Sequence, residues 1–156
     1  MENKDNSITI TFFQVEKIKD EVILPQGHLK SAGLDLRVLT DNGKPVSLKP
    51  GESRKFHTGI KVAPPEGEYI EIHVRSSVGC KKHLALMNGT GIIDEDYRGE
   101  ILVFLWNFGN EETVIENNER VCQMIFHKYK QYAPVLVDSV GDTERGEAGF
   151  GSSGKF

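Results

Sequence analysis

Short runs of β-branched and aromatic residues recur along the chain, and stretches rich in Gly, Pro, Asn and Glu separate them. The run EYIEIHV at 68–74 alternates polar and apolar side chains, which is typical of a strand with one buried and one solvated face. Separating stretches such as DNGKP and APPEGE are typical of turns. The pattern predicts strands at 8–15, 34–39, 55–62, 68–74, 100–108, 112–116, 120–129 and 133–138.

Helical patterns are nearly missing from the sequence. No stretch has the periodicity of a long amphipathic helix, and the best helical segment is SSVGCKKH at 76–83. Many short strands with frequent turns predict an all-β sandwich or barrel. The 156 residues contain no internal repeat and no linker-like segment, so we expect one folded domain over 1–138.

The composition changes from about Ser139, where glycine and serine dominate through to residue 156. Composition alone favours a disordered tail over 139–156, because so few apolar side chains cannot hold the segment in place. The alternative is an arm that orders around a ligand. Closely spaced glycines and serines let several backbone N–H groups face one phosphate, while Arg145 adds a charge and Phe150 a stacking surface.

The net charge of −4 argues against broad binding of nucleic acid, because proteins that bind it usually have a basic face. We see neither a signal or transit peptide nor an apolar run of membrane-spanning length. We therefore expect a cytoplasmic protein with no membrane partner. Cys80 and Cys122 lack the spacing of a zinc site, and we expect both to be buried free thiols.

Five segments, taken in chain order, resemble the motifs of the trimeric dUTP pyrophosphatases, the dUTPases. Any one of these segments is a weak signal, but all five in order, with the second and third correctly spaced, are specific to that family. The segments are SAGLDLR at 31–37, RSSVGCKKH at 75–83, NGTGIIDEDYRGEI at 88–101, NERVCQMIF at 118–126 and RGEAGFGSSG at 145–154.

The resemblance implies a distorted jelly-roll β-barrel with one short helix and a flexible glycine-rich arm over 139–156. It implies Mg²⁺-dependent hydrolysis of dUTP to dUMP and pyrophosphate, which keeps uracil out of DNA and supplies dUMP for dTMP synthesis. The active sites of the family form between the subunits of a homotrimer, so this assembly is implied as well.

The third motif carries the residues that match the family's base-reading hairpin and its general base. Asp94 matches the carboxylate that activates the attacking water. Asn88 matches the side-chain contact to uracil, and backbone groups near Ile92 and Ile93 complete that contact, with Leu102 across from them.

Three more residues of this motif receive roles from the resemblance or from their surroundings. Tyr97 matches the ring that packs against deoxyribose, where a 2′-hydroxyl would clash. Glu95 and Asp96 are interpreted as solvent-exposed acids of a turn.

The other motifs match the family's phosphate contacts. Asp35 of the first motif matches a carboxylate near the metal, and we interpret it as an outer-sphere partner of Mg²⁺ through water, since this ion prefers substrate phosphates to an all-protein cage. Phe150 matches the ring that stacks on uracil. Phosphate contacts are implied for Arg75, Ser76, Ser77, Arg145, Gly151, Ser152 and Ser153, and a contact to a phosphate or to the attacking water is implied for Gln123.

This sequence departs from the usual family motifs at three positions. Val74 stands where many members have proline, and its absence is expected to loosen the approach to Arg75. Ser77 and Ala148 stand where glycine is usual. A serine at 77 disfavours a role that needs positive φ there.

Three alternative functions remain open from the sequence. A dCTP deaminase has the same fold but needs a glutamate in a different motif context, which we do not find. A regulatory binding protein that uses dUTP as a switch usually has an inserted segment between motifs. A purely structural trimer would not require Asp94, Arg145 and Phe150 together.

Overall fold

The structure, a computed structural model, describes residues 10–147. Within this range the chain forms short strands, one α-helix, α1 (Ser76–Lys82), and a 3-10 turn at Asp41–Gly43. The strands are β1 (Gln14–Lys17), β2 (Gly33–Val38), β3 (Val46–Leu48), β4 (Ser53–His57), β5 (Ile60–Ala63), β6 (Glu68–Val74), β7 (Leu84–Leu86), β8 (Gly91–Ile93), β9 (Leu102–Asn107), β10 (Thr113–Ile115) and β11 (Glu119–Lys128).

Two antiparallel sheets dominate this arrangement. One has the strand order β2-β11-β6-β8 and the other the order β4-β9-β7, while β1 pairs with β5 and β3 with β10. Between residues 10 and 147 the hydrogen-bonded strands do not close into a single barrel. The prediction of an all-β fold with one short helix is confirmed.

The core follows from the alternation of side chains along the strands. Val103 and Leu105 of β9 are buried, as are Ile70 of β6 and Met124 of β11, and all four belong to one hydrophobic cluster. Because neighbouring side chains on a strand point to opposite faces, the intervening residues stay available for a surface or a site. The positions that carry chemistry therefore lie on the outer face or at the ends of the strands.

Several predicted elements match the structure, and others do not. The predicted strand at 55–62 is two strands, because Gly59 has a φ of +72° and breaks the run. The predicted strand at 133–138 is wrong: this segment is irregular and exposed, and no strand of the described chain pairs with it. The short strands β3, β7 and β8 were not predicted, whereas the helix at 76–82 was.

The two cysteines differ in their surroundings. Cys122 is buried, and burial raises the pKa of its thiol to about 12, as expected for an inert core thiol. Cys80 is exposed, so the prediction of a buried thiol is wrong there. Across residues 10–147, every helix is too short or too polar to span a bilayer.

Candidate active site

The turn that joins β7 to β8, which belong to different sheets, forms the wall of the candidate base pocket. The turn closes with a hydrogen bond from the Gly89 N–H to the Leu86 carbonyl oxygen (3.0 Å), and Gly89 adopts a φ of +72°. At Gly91 a Cβ would come within 3.1 Å of the Ile72 Cβ on the neighbouring strand β6. The close approach of β8 to β6 therefore depends on glycine at this position.

This turn and strand β8 border a cavity of about 270 Å³. Six of the residues that line it were predicted as base, sugar or catalytic residues: Asn88, Ile92, Ile93, Asp94, Tyr97 and Leu102. Four lining residues were not predicted, namely Ile72, Leu86, Gly91 and Glu100. Gly91 and Glu100 lie inside the third motif, whereas Ile72 and Leu86 lie on adjacent strands, where only the fold brings them to the site.

Asp94 lies where strand β8 ends and a turn begins. Ile93 before it is buried and pairs with Ile70, and the Tyr97 N–H donates to the Asp94 carbonyl oxygen (3.1 Å). The Asp94 side chain is exposed, and its carboxylate makes no hydrogen bond with any residue of the described range. It is thus free to accept a hydrogen bond from a water molecule or a substrate at the rim of the cavity.

Tyr97 is held flat against the backbone that follows it. Its hydroxyl donates to the Glu100 carbonyl oxygen (3.0 Å), and a Cβ at Gly99 would collide with the Tyr97 ring. The Glu100 carboxylate accepts a hydrogen bond from the Gly59 N–H (2.8 Å) and pairs with His57 (2.8 Å). These contacts give the Tyr97 ring a defined position beside the cavity.

A second cluster lies on β2 and at the end of β6. Arg75 Nε lies 2.8 Å from one oxygen of the Asp35 carboxylate, and Arg120 Nη1 lies 3.0 Å from the other. Arg75 also donates to the Arg120 carbonyl oxygen (3.3 Å). Asp35 therefore holds two guanidinium groups side by side, which makes this a cationic surface suited to a phosphate chain.

The remaining predicted contacts of this cluster are near Arg75. Ser76 and Ser77 are exposed in the first turn of α1, and Ser77 is helical without a positive φ, so a side chain fits there. Gln123 of β11 pairs in register with Asp35 and so shares its face of the sheet. The approach to Arg75 is held by ladder pairing of Val74 with β11, in place of the rigidity that a proline would supply.

Comparisons with known proteins decide the family. The dUTPase family profile matches residues 19–154. The chain is 41% identical over 144 residues to the deoxyuridine 5′-triphosphate nucleotidohydrolase of Fusobacterium nucleatum, an alignment that covers 91% of this chain and 97% of that protein. The chain belongs to the dUTPase family. This result confirms the family predicted from the motifs and its enzyme class, the dUTP diphosphatases.

Solved structures agree with the assignment. The dUTPase of Staphylococcus bacteriophage 80alpha, solved with dUPNHPP, superposes with a TM-score of 0.80 at 27% identity over 93% of this chain and 99% of that one. The dUTPase of S. aureus phage phi11, which coordinates a structural Mg(II) ion, superposes with a TM-score of 0.73 at 21% identity over 85% and 100%. The jelly-roll-type fold predicted for this dUTPase-family chain is thereby confirmed.

Glu95 in this dUTPase-family chain is not the solvent-exposed turn acid that we expected. Its Oε2 accepts hydrogen bonds from the Tyr129 hydroxyl (2.7 Å) and from the Gly67 N–H (2.8 Å). The Tyr129 hydrogen bond, and then that from Gly67, lowers the pKa of the Glu95 carboxyl. No local sequence signal reveals this role, since the partners lie 34 and 28 positions away.

The fit of a metal ion to the protein itself can be tested on the described residues. From 10 to 147 there is no group of three or more His, Cys, Asp or Glu side chains that could hold one. Both oxygens of the Asp35 carboxylate face guanidinium groups, which would repel a cation. Direct coordination of Mg²⁺ by Asp35 does not fit this arrangement.

The base pocket and the arginine cluster are far apart within one chain. Asp35 pairs with Gln123 of β11, which pairs in turn with His73 of β6. Asp94 follows Ile93, which pairs with Ile70 of β6. These levels differ by about 13 Å along the strands, and the strands carrying them are three spacings of about 4.8 Å apart, which gives a separation of roughly 20 Å. The two clusters therefore lie at separate places within one chain.

The fifth motif lies at the limit of the described residues. Arg145 is exposed, in a stretch without regular strands or helices. The predicted contacts Phe150, Gly151, Ser152 and Ser153, and the departure at Ala148, lie outside the described residues. Their roles and the domain boundary at 138 stay predictions.

Proposed function

We propose that this chain hydrolyses dUTP to dUMP and pyrophosphate as a homotrimer, removing dUTP before DNA synthesis and supplying dUMP for dTMP synthesis. The observation that carries the proposal is the cavity beside β8, which brings Asn88, Tyr97 and Leu102 together with Asp94. The 80alpha dUTPase was solved with a non-hydrolysable relative of this substrate, and its fold is similar over almost its whole length. A cytoplasmic location stays a prediction.

In this proposal, strand β8 and the turn before it supply the selectivity for uracil. Uracil presents two carbonyl oxygens and an N–H, which the Asn88 amide and the backbone of Gly91–Ile93 can pair with. We assign the exclusion of the methyl group of thymine to the small cavity beside β8, and cytosine offers its amine where uracil has an acceptor. The ring of Tyr97 occupies the space that a 2′-hydroxyl would need.

The chemical step proposed for Asp94 is general base catalysis. Its carboxylate accepts a proton from a water molecule as the water oxygen attacks the α-phosphorus. A new P–O bond forms to that oxygen, and the bond from the α-phosphorus to the bridging oxygen breaks, so that pyrophosphate leaves. The exposed carboxylate at the mouth of the cavity supports this role.

The phosphate chain is assigned to the arginine cluster and the C-terminal arm. Arg75, Ser76, Ser77 and Gln123 lie close enough together to bind neighbouring phosphate oxygens. Arg145, Gly151, Ser152 and Ser153 are proposed to close over the terminal phosphate, and Phe150 over the uracil ring. Mg²⁺, when bound to the substrate phosphates, would neutralise charge that repels the attacking water. Asp35 acts in this scheme by holding the two arginines.

The separation of the two half-sites, the base pocket and the arginine cluster, supports an assembly whose chains share sites, and the number of three chains comes from the resemblance to the trimeric dUTPases. A phosphate that contacts a water on Asp94 cannot also reach Arg75 of the same chain across roughly 20 Å. A second copy must therefore bring its arginine cluster to the base pocket of the first. Exposed apolar side chains support such an assembly: Leu136 is fully exposed, as is 97% of Val140, and Phe104 and Trp106 line the outer face of β9.

The proposed function is tested by pyrophosphate release from dUTP, dTTP, dCTP and UTP at equal concentrations. We expect kcat/KM for dUTP to exceed that for each of the others by about 10²-fold or more, because a pocket built for hydrogen bonds leaves buried groups unpaired with the wrong substrate. Ammonia release from dCTP would instead indicate a deaminase. Equal rates on all four nucleotides would rule out the base pocket as the selective element.

The role of Asp35 leads to a separate prediction. Asp35→Asn should raise KM for dUTP about tenfold with a smaller change in kcat, because the two guanidinium groups lose the charge that holds them side by side. Steady-state kinetics measure both constants. Asp41→Asn is the matched control, since it also removes an Asp–Arg pair, with Arg54 (2.6 Å), on the surface. An equal KM in the two variants would contradict the assignment.

A further inference from the structure

Glu95 ties the catalytic turn to two distant parts of the large sheet. Its Oε2 accepts from the Tyr129 hydroxyl, which follows β11, and from the Gly67 N–H, which precedes β6. Arg98 Nη1 donates to the Glu95 carbonyl oxygen (2.6 Å), which closes the turn on itself. The turn is thus anchored at the side chain and at the backbone of the same residue.

These anchors matter because the Asp94 side chain has none of its own. Its carboxylate makes no hydrogen bond inside the described range, so the backbone on either side determines where it points. On one side Ile93 is buried and paired with Ile70. On the other side the first residue with fixed contacts is Glu95. Loss of the Glu95 side-chain contacts therefore removes one of the supports that hold the Asp94 backbone in place.

We propose that Glu95 is a positioning residue, which orients Asp94 toward the attacking water through its hydrogen bonds to Tyr129 and Gly67. The inference rests on the proposed function of Asp94. A misplacement of about 1 Å at a reacting group can cost on the order of 10²-fold in rate, so a loosened turn reduces turnover while the base pocket stays intact. The base contacts come from Asn88 and β8 and do not pass through Glu95.

The charge of Glu95 makes these hydrogen bonds stronger than those of a neutral acceptor. Tyr129 shows the other half of the interaction, because the hydrogen bond to Glu95 raises the pKa of its phenol. Tyr129 in turn packs edge-on against Tyr69 of β6, with ring centroids 6.4 Å apart. The anchor therefore ends in side chains that the sheet itself holds in place.

The chain supplies a matched control for electrostatics. Asp96 is another carboxylate of the same turn, two residues from Asp94 where Glu95 is one, and it makes no hydrogen bond with the described residues. Removing either carboxylate changes the charge near Asp94 by one unit. Only removal of the Glu95 side chain also removes the hydrogen bonds from Tyr129 and Gly67. Positioning and charge are therefore separated by comparing Glu95→Ala with Asp96→Ala, and Glu95→Gln with Asp96→Asn.

The experiment measures kcat and KM for dUTP on the full-length protein, well below the melting temperature of each variant. We expect Glu95→Ala to lower kcat about tenfold with KM changed less than about twofold. Glu95→Gln keeps one acceptor oxygen and should recover part of that loss. Tyr129→Phe should lower kcat about threefold. Adding it to Glu95→Ala should lower kcat little further, because both substitutions remove the same hydrogen bond.

Asp96→Ala and Asp96→Asn should stay within about twofold of the wild type in both constants. Equal kcat values for Glu95→Ala and Asp96→Ala would overturn the inference. A Glu95→Ala variant with a raised KM and an unchanged kcat would overturn it as well. If Glu95→Ala does not fold, Tyr129→Phe and Glu95→Gln decide the question by the same criteria. Wild-type protein without dUTPase activity would instead refute the proposed function.

Discussion

Asp94→Asn is expected to lower kcat for dUTP by about 10²-fold or more, because the amide cannot accept the proton of the attacking water. A factor of 10² corresponds to about 2.7 kcal/mol of lost transition-state stabilisation. Asparagine has nearly the same shape, and the cavity walls at Asn88 and Tyr97 are unchanged. Binding of dUMP, measured by calorimetry, should therefore stay within about threefold of the wild type.

The neighbouring carboxylate provides the control for this substitution. Asp96→Asn removes the same charge from the same turn and should leave kcat nearly unchanged. Turnover of Asp94→Asn near the wild-type rate would rule out Asp94 as the base. A parallel loss of dUMP binding would show that the substitution had damaged the pocket, and the kinetic result would then say nothing about proton transfer.

Mixed trimers are expected to recover activity from two inactive variants. Asp94→Asn disables the base half-site and Arg75→Ala the phosphate half-site, so each variant alone should have at most a few per cent of wild-type kcat/KM. If each site takes one half from each of two chains, refolding a 1:1 mixture should restore roughly a quarter of the wild-type activity. An active site needs an intact Asp94 from one chain and an intact Arg75 from the other. In a 1:1 mixture each is present with a chance of one in two, and the fraction is the product of the two chances.

The control for mixing uses chains that cannot complement each other. Asp94→Asn mixed with the Asp94→Asn/Arg75→Ala double variant contains no intact Asp94 and should stay inactive. Sedimentation of the mixtures verifies that trimers have formed. An activity that never exceeds that of the separate variants, in confirmed mixed trimers, would place both half-sites in one chain and contradict the proposed assembly.

The strand positions show how far local pattern could predict the fold. The run at 68–74 was predicted correctly because its alternation of polar and apolar residues is what a half-buried strand requires. The run at 133–138 is equally apolar, yet it forms no strand in the described chain. A strand needs a partner edge as well as a suitable sequence, and periodicity contains no information about which edges remain available.

The candidate site divides in the same way. Asn88, Asp94 and Tyr97 lie within ten consecutive residues, so their motif could be identified before the fold was known. The anchors of Glu95 could not be predicted, because Tyr129 and Gly67 are brought to it by the pairing of β6 with β11 and with β8. Glutamate in a polar turn is usually solvated, which is why its role was missed.

The sequence by itself determined the family and the all-β class and supplied the candidate residues for the chemistry, because residue types and local spacing record these. The tertiary structure alone decided that Asp35 pairs with two arginines, that Glu95 accepts hydrogen bonds from Tyr129 and Gly67, and that Asp35 and Asp94 lie roughly 20 Å apart. Distances between residues far apart in the chain depend on strand order and register. Those are set by the packing of the whole core, which no short stretch of sequence specifies.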